Sequence, residues 1–355
     1  MLRLRRGVVV AVEAVEPWQR LTVTVGGEER PACADTALVG PCEEGDDVIL
    51  NTQALDLGLG SGGFDVVHVN LTRGLDGKGM PGAHVMKLNY SSLQHAVIPA
   101  EGRELYTPLG KPVGVFQLHG QLAPIAWALA QARGGAGRVK VGYVQSAGGA
   151  LPGAMSDTVR QLLHRGLLAG HTTAGAAYGG GQEAITTAGA IHDGLAQEGW
   201  DLALVGPGPG ILGSGSALGH GGIVALDSAH AALALGCPTV LAARMSSGDP
   251  RERHRGLSHH TRTVLDLLLA PVTLAVPPGV RLFAEVDGIG AALDAARACG
   301  HELVEAAIDV DGYRASGLPT RTMGRTLDED RLFFAAALAA GGALAELAGA
   351  GEASA

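Results

Sequence analysis

The residue types best suited to chemistry are concentrated between Arg244 and Arg262. Arg244, Arg251, Arg253, Arg255 and Arg262 are set against only Asp249 and Glu252, a basic island in a chain of net charge −9. His254, His259 and His260 share the stretch. Ser258 is a good N-cap ahead of Val264, Leu265 and Leu268, which puts His259 and His260 in the first turn of a helix. The positive end of a helix disfavours imidazolium, leaving neutral rings able to donate to a ligand or to bind a metal. His254, His259, His260, Asp249 and Asp157 could supply metal ligands, but at no diagnostic spacing. No metal or other cofactor is therefore specified.

A second concentration is the glycine loop from Gly206 to Ser216. Gly208, Gly210 and Gly213 satisfy G-x-G-x-x-G after an apolar run, and backbone N–H groups at a helix start can hold a phosphate or carboxylate. Pro207 and Pro209 intrude, and no acidic residue ends an obvious next strand, so anion binding is favoured over dinucleotide binding. The candidate ligand-binding residues are Gly206, Gly208, Gly213, Ser214, Gly215, Ser216, Arg244, Arg251, Arg253, Glu183 and Asp157. His119, directly after an apolar run, joins His254, His259 and His260 as a candidate proton carrier. Asp157 and Glu183 equally suit structural roles, the former at a helix start. A G-x-S-x-G elbow and a Walker A lysine are absent, and His301-Glu302 lacks the second histidine of a zincin. No complete nucleophile, base and orienting group can be picked out.

The elements that must position these residues change character along the chain. Val8 to Val15, Leu21 to Val25, Asp47 to Leu50 and Phe64 to Val69 are rich in Val, Ile and Thr and separated by glycine turns, predicting a small β-barrel or β-sandwich over residues 1–110. Pro99 to Pro112 is the expected linker. Beyond it, Val113 to Leu118, Val139 to Val144, Leu202 to Val205, Thr239 to Ala243 and Val272 to Val276 read as buried strands, with His171 to Tyr178 a weaker one. Helical patterns capped at Ser156 and Ser258, or closed by Gly199 and Gly236, alternate with them. The fold class expected is therefore α/β: a Rossmann-like, doubly wound, mostly parallel sheet over 113–325, and a C-terminal Ala-rich helix and tail over 326–355. In such sheets ligands bind beyond the carboxyl ends of the strands, which is where the polar and glycine-rich loops fall.

Hydrophobic residues make up 46 % of the chain and charged ones 17 %, ample for a core. A net charge of −9 argues against nucleic acid or an anionic membrane as partner. Cys33, Cys42, Cys237 and Cys299 have no zinc-site spacing and suit a reducing compartment. The apolar run near the N-terminus is interrupted by Glu13, and Leu332 to Ala345 is short for a membrane span, so a cytoplasmic protein is expected.

Long blocks of the chain resemble a known family. Arg251-Glu252-Arg253-His254-Arg255-Gly256-Leu257-Ser258-His259-His260-Thr261 closely resembles the signature of DUF3866, a bacterial family of unknown function. Leu118-His119-Gly120, Tyr178-Gly179-Gly180, Val205 to Gly208 and Gly213 to Ser216 resemble its other blocks, as do Leu57 to Gly63 and His84 to Leu88. The similarity runs from near residue 7 to about 270 and on toward 325, with the tail from about Thr326 outside it. Ser214 and Ser216 stand where the family more often carries Thr, and Pro209-Gly210 is an additional Pro-Gly. The resemblance implies no activity, substrate or catalytic residue.

The expectation is a site for a small anionic metabolite, a nucleotide or phosphorylated compound, at the carboxyl edge of the sheet, with histidine as acid or base if the protein is an enzyme. The alternatives are a non-catalytic ligand-sensing module and a structural protein that forms a homo-oligomer.

Overall fold

The computed structural model describes residues 1–15, 18–59, 61–282 and 288–352. The chain divides into two compact units, Met1–Ile98 and Pro99–Ala355.

In the first unit five strands close into a barrel in the order β1-β2-β3-β5-β4. They are β1 (Leu4–Val15), β2 (Trp18–Val25), β3 (Glu28–Asp35), β4 (Asp47–Asn51) and β5 (Asp65–Asn70). Short helices α1 (Thr36–Val39) and α2 (Gln53–Asp56) fill the connections, and β6 (Val85–Lys87) pairs with β7 (His95–Val97) in a separate ribbon. Leu21, Val23 and Val25 point inward on alternate residues and pack with Val9, Ala32, Ala34, Val48, Leu50 and Val67. Between the expected sandwich and barrel, the strands choose the barrel, which leaves no open sheet edge.

The second unit is built on eight strands: β8 (Val113–Val115), β9 (Val141–Ser146), β10 (Gly170–Ala174), β11 (Gln182–Ala184), β12 (Leu202–Pro207), β13 (Thr239–Ala242), β16 (Thr273–Val276) and β17 (Glu302–Glu305). Two-residue strands β14 (Met245–Ser246) and β15 (Gly256–Leu257) pair within the loop after β13. The sheet order is β11-β10-β9-β12-β8-β13-β16-β17, and every neighbouring pair is parallel. Leu202 and Leu204 face one core while Ala203 and Val205 face the other, the signature of strands buried on both sides.

Helices α3 (Leu122–Ala132), α4 (Asp157–His164), α9 (Val310–Ala315) and most of α10 (Arg331–Glu352) cover the first face. Helices α5 (Thr187–Ala196), α6 (Val224–Ala234), α7 (His259–Leu267) and α8 (Ile289–Ala298) cover the second. β8 thus leads into a helix on one face while both its neighbours, β12 and β13, lead into helices on the other. Their loops diverge and leave a crevice at the carboxyl edge.

Two segments differ from expectation. Pro99–Pro112 is not a free linker: Leu109 N–H donates to the Leu235 carbonyl at 2.9 Å, and the Lys111 ammonium donates to the carbonyls of Leu195 and Trp200 at 2.7 and 2.6 Å. The C-terminal helix has 22 residues rather than the expected 14, long and apolar enough to cross a membrane. Most of it is buried against α3 and the sheet, so its apolarity is that of a core helix.

The Trp200 indole occupies a niche that exists because Gly142 and Gly194 have no side chain; a Cβ at either would strike the ring. Gly142→Ala is expected to cost about 1–3 kcal/mol by overpacking, measured as a lower urea midpoint at unchanged m-value. Gly102→Ala, where a Cβ meets no neighbour within 4 Å, should be neutral.

Candidate active site at the carboxyl edge of the sheet

A cavity of about 820 Å³ opens in that crevice. It draws on the loop after β8 (Leu118, His119, Gly120), the loop after β12 (Pro209 to Ile211, Gly213, Ser214) and the loop after β13 (Arg244, Pro250, Arg251, Arg253, His254, His260). The basic stretch and the glycine loop therefore meet on one rim. A fourth wall comes from the hairpin of β18 (Arg321–Thr322) and β19 (Arg325–Thr326). Five arginines line this space, Arg244, Arg251, Arg253, Arg321 and Arg325, and among the described residues no acidic residue does.

Two buried carboxylates behind the wall engage three of these arginines, Arg244, Arg251 and Arg325. Asp249 accepts from Arg251 Nε and Nη2 at 2.9 and 2.8 Å and from Arg325 Nη2 at 3.1 Å, with Arg244 at 3.9 Å. Asp330, at the foot of α10, accepts from Ser246 Oγ, the backbone N–H of Ser247 and Gly248, and Arg325 Nε. Burial alone would push the Asp249 carboxyl up, but its hydrogen bonds to Arg251 and the charges of Arg251 and Arg325 hold it well below the usual range. Burial, reinforced by Arg251, pulls Arg244 down to about 10, which still leaves it charged at neutral pH. Asp249 is thus neither a metal ligand nor exposed acid; it is a counter-ion.

Gln121 fixes the spacing of the strand ends. Its amide oxygen accepts from the N–H of Gln117 and Leu118, while its nitrogen donates to the carbonyls of Ala242 and Ala243, clamping the end of β8 to the end of β13. Thr261 on α7 continues the clamp, donating to Gln117 Oε1 at 2.6 Å and accepting from Arg244 N–H at 2.9 Å.

Ser258 caps α7, accepting from the His260 N–H. His254, His259 and His260 gather there with a fourth histidine, His220, which precedes α6. His220 and His260 stack with ring centroids 3.5 Å apart. His260 Nδ1 accepts from Arg244 Nη1 at 2.6 Å, because a guanidinium can only donate. Burial first, then Arg244, depresses His254 to about 3 and holds His260 far below the ordinary imidazole range. His220 and His259 are lowered too, mainly by burial. All four rings are neutral near pH 7. One nitrogen from each of His220, His259 and His260 lies within 4.8 Å of the others, a grouping able to hold a metal ion. His220 had no signal except its place in Gly219-His220-Gly221-Gly222, between the glycine loop and a helix.

Other candidates fall elsewhere. His119 lines the cavity, but both ring nitrogens are engaged: the Pro207 carbonyl at 3.3 Å can only accept from Nδ1–H, so Nε2 accepts from Ser156 Oγ at 2.7 Å. These bonds hold the ring between the end of β12 and Ser156 at the start of α4. Gly206 is a residue of β12 whose missing side chain admits the Phe116 ring, and Gly208 makes room for the Ala150 carbonyl and Gln145. Both glycines are required by packing. Gly213 and Ser214 do line the cavity, whereas Gly215 and Ser216 do not; Ser216 Oγ accepts from Leu218 and Gly219 N–H within its own turn. Asp157 pairs with Arg160 outside the cavity. Glu183 also lies outside it, accepting from the Gly179 N–H and Thr173 Oγ1. His259 sits behind the lining, beside His254 and His260.

Fold and site together define a Rossmann-like α/β protein with an arginine-lined cavity at the topological switch of its sheet. The chain belongs to DUF3866, a family of proteins of unknown function, whose model it matches over residues 31–341. The match starts later than the similarity read from the sequence and continues through the segment beyond Thr326 into α10, as befits a helix that forms part of the core. No curated protein and no solved structure matches the chain.

His119 and His171 make the stability of the second unit depend on pH. Burial depresses them to about 4 and about 3 respectively. Their folded values lie below the unfolded one, so the unfolded chain binds more protons between these limits. Stability is then fully present above about pH 6.5 and is lost as pH falls toward 4. At pH 5 unfolding should take up roughly two protons from this pair. His119→Gln is expected to remove about one of the protons taken up on unfolding at pH 5, lowering the slope of stability against pH there by about 1.4 kcal/mol per pH unit; an unchanged slope would refute the assignment.

Proposed function

We propose that this protein binds a small phosphorylated metabolite in the arginine-lined cavity, with the guanidinium groups as the principal anion contacts. One observation carries the reading: five arginines and, among the described residues, no acidic residue line a single cavity of about 820 Å³. Behind them stand the buried carboxylates of Asp249 and Asp330, fewer than the arginines they face. Its volume suits a nucleotide-sized ligand. Planar guanidinia match phosphate oxygens in bidentate geometry, and a poorly hydrated cavity strengthens each contact. The positive charge is local in a chain of net charge −9, which favours a small anion over a nucleic acid.

If the bound compound is turned over, His254 is the acid–base candidate. It lines the cavity with one ring nitrogen on Ser258 Oγ at 2.9 Å, whereas His119 is fully engaged. Product analysis after prolonged incubation separates an enzyme from a sensor.

Arg253 gives the cleanest test, since it forms no ion pair among the described residues and its loss strands no buried acid. Nucleoside diphosphates, sugar phosphates and inorganic phosphate should be screened by thermal shift; saturation at one hundred times Kd stabilises by about 2.7 kcal/mol. Arg253→Ala should weaken the best ligand about tenfold or more with the unliganded Tm unchanged. Absence of any phosphate-dependent shift in the parent protein, or equal binding by the variant, overturns the reading.

A further inference from the structure

The hydrogen bonds around the histidine cluster dictate its tautomers, and the tautomers leave two lone pairs exposed to nothing. His220 Nε2 lies 2.9 Å from the Ala217 carbonyl. A carbonyl only accepts, so Nε2 carries the proton and Nδ1 is bare. His259 Nδ1 lies 3.3 Å from the Arg253 carbonyl, so there Nδ1 carries the proton and Nε2 is bare. Both bare atoms, His220 Nδ1 and His259 Nε2, are buried without a hydrogen-bond partner. Leaving one such atom unsatisfied costs about 1–3 kcal/mol, and two in one cluster call for an occupant.

We propose that His220, His259 and His260 form a binding site for a divalent transition-metal ion that prefers imidazole nitrogen, of the Zn²⁺ or Co²⁺ type. Three features support it. One nitrogen of each ring already lies within 4.8 Å of the other two. Metal-binding histidines commonly donate their outer N–H to a backbone carbonyl, which fixes the ring and bares the inner nitrogen, and His220 and His259 both do so. Space is kept free at the cluster: a Cβ on Gly222 would stand 3.2 Å from His260 Nδ1 and 3.3 Å from His220 Nδ1.

Tetrahedral ligands at Zn–N distances of 2.0–2.1 Å sit about 3.3 Å apart, so the rings must close in by rotation about their side-chain bonds. His260 is stacked on His220 with its lone pair on Arg244, so the bare atoms of His220 and His259 form the core of the site and His260 completes it. An ion bound through His260 Nδ1 must displace Arg244 Nη1 from it, so Arg244 swings away as the site fills. Three histidine ligands leave a coordination position open, the arrangement of catalytic rather than structural sites. His260 and His254 belong to the cavity wall, which puts the ion at its margin. The inference does not depend on anion binding by the arginines.

The test uses the full chain without an affinity tag, titrated with Co²⁺. One equivalent should bind and give visible d–d absorption. His220→Ala and His259→Ala should each weaken binding at least tenfold, while His164→Ala, at the exposed end of α4, should not. Because an alanine variant can lose its fold, ring ¹⁵N resonances of the unsubstituted protein are followed as well. Zn²⁺ should move His220 Nδ1 and His259 Nε2 and spare His164. Binding that both alanine variants retain in full, or absence of a stoichiometric site, overturns the proposal. So does conversion of His220 and His259 to imidazolium by inorganic phosphate with no response to Zn²⁺, which would assign the bare nitrogens to an anion.

Discussion

The site depends on two carboxylates that never reach it. Asp249 and Asp330 have no exposed side-chain surface, yet between them they engage Arg244, Arg251 and Arg325 and the backbone of the loop after β13. Guanidinia crowded into a partly desolvated space repel one another, and the repulsion grows as water is excluded. The paired acids offset it from behind, so the donors can face the cavity without acid at its surface. The same contacts tie the basic loop to α10, which carries Asp330 at its foot, and to the hairpin that carries Arg325. Removing one member of such a buried set typically costs about 3–5 kcal/mol, because the partners are left uncompensated.

Sheet topology decides where this network can form. β8 sends its chain to one face while β12 and β13 send theirs to the other, so the edge between them cannot be closed by a helix start. Gln121 then sets the width of the opening by holding the ends of β8 and β13 with one side-chain amide. Glycine contributes through packing more than through ligand contact. At Gly206 and Gly208 the absent side chain lets an aromatic ring and a neighbouring loop come close. A glycine-rich loop beyond a strand therefore does not by itself make a phosphate cradle.

The sequence made legible whatever repeats at a fixed period or punctuates sharply. Buried strands such as Leu202–Val205 and the serine caps of α4 and α7 fall where their apolar runs and N-cap types put them. Elements without contrast were silent. α3 is buried from Leu122 through Ala130, because the sheet covers one side and α10 the other, and a helix apolar all round shows no stripe. β3 begins Glu28-Glu29-Arg30-Pro31 and puts only two small residues, Ala32 and Ala34, into the barrel core, too little for a strand pattern. Within the site, the Arg/His stretch was visible as a charge anomaly. His220, Arg321 and Arg325 were not, since they reach the cluster and the cavity through contacts 40 to 80 residues distant in sequence that no local pattern encodes.

The pairing of arginines with histidines at one edge has a consequence for chemistry. An imidazole buried beside a guanidinium cannot hold a proton at neutral pH, since burial and the neighbouring charge both penalise the cation. His254 and His260 are therefore held as neutral rings, the lone pair of His260 already engaged by Arg244. The arginines offer only N–H donors. The proposed site would thus set two kinds of group side by side at one edge of the sheet: guanidinium donors for an anion, and bare ring nitrogens for a Lewis acid or a proton. Fixed cationic charge keeps the two apart, because any proton that reached His260 would have to displace the bond from Arg244. In the proposed site a proton would move through a lining histidine free of that bond, a condition that His119 and His254 both meet.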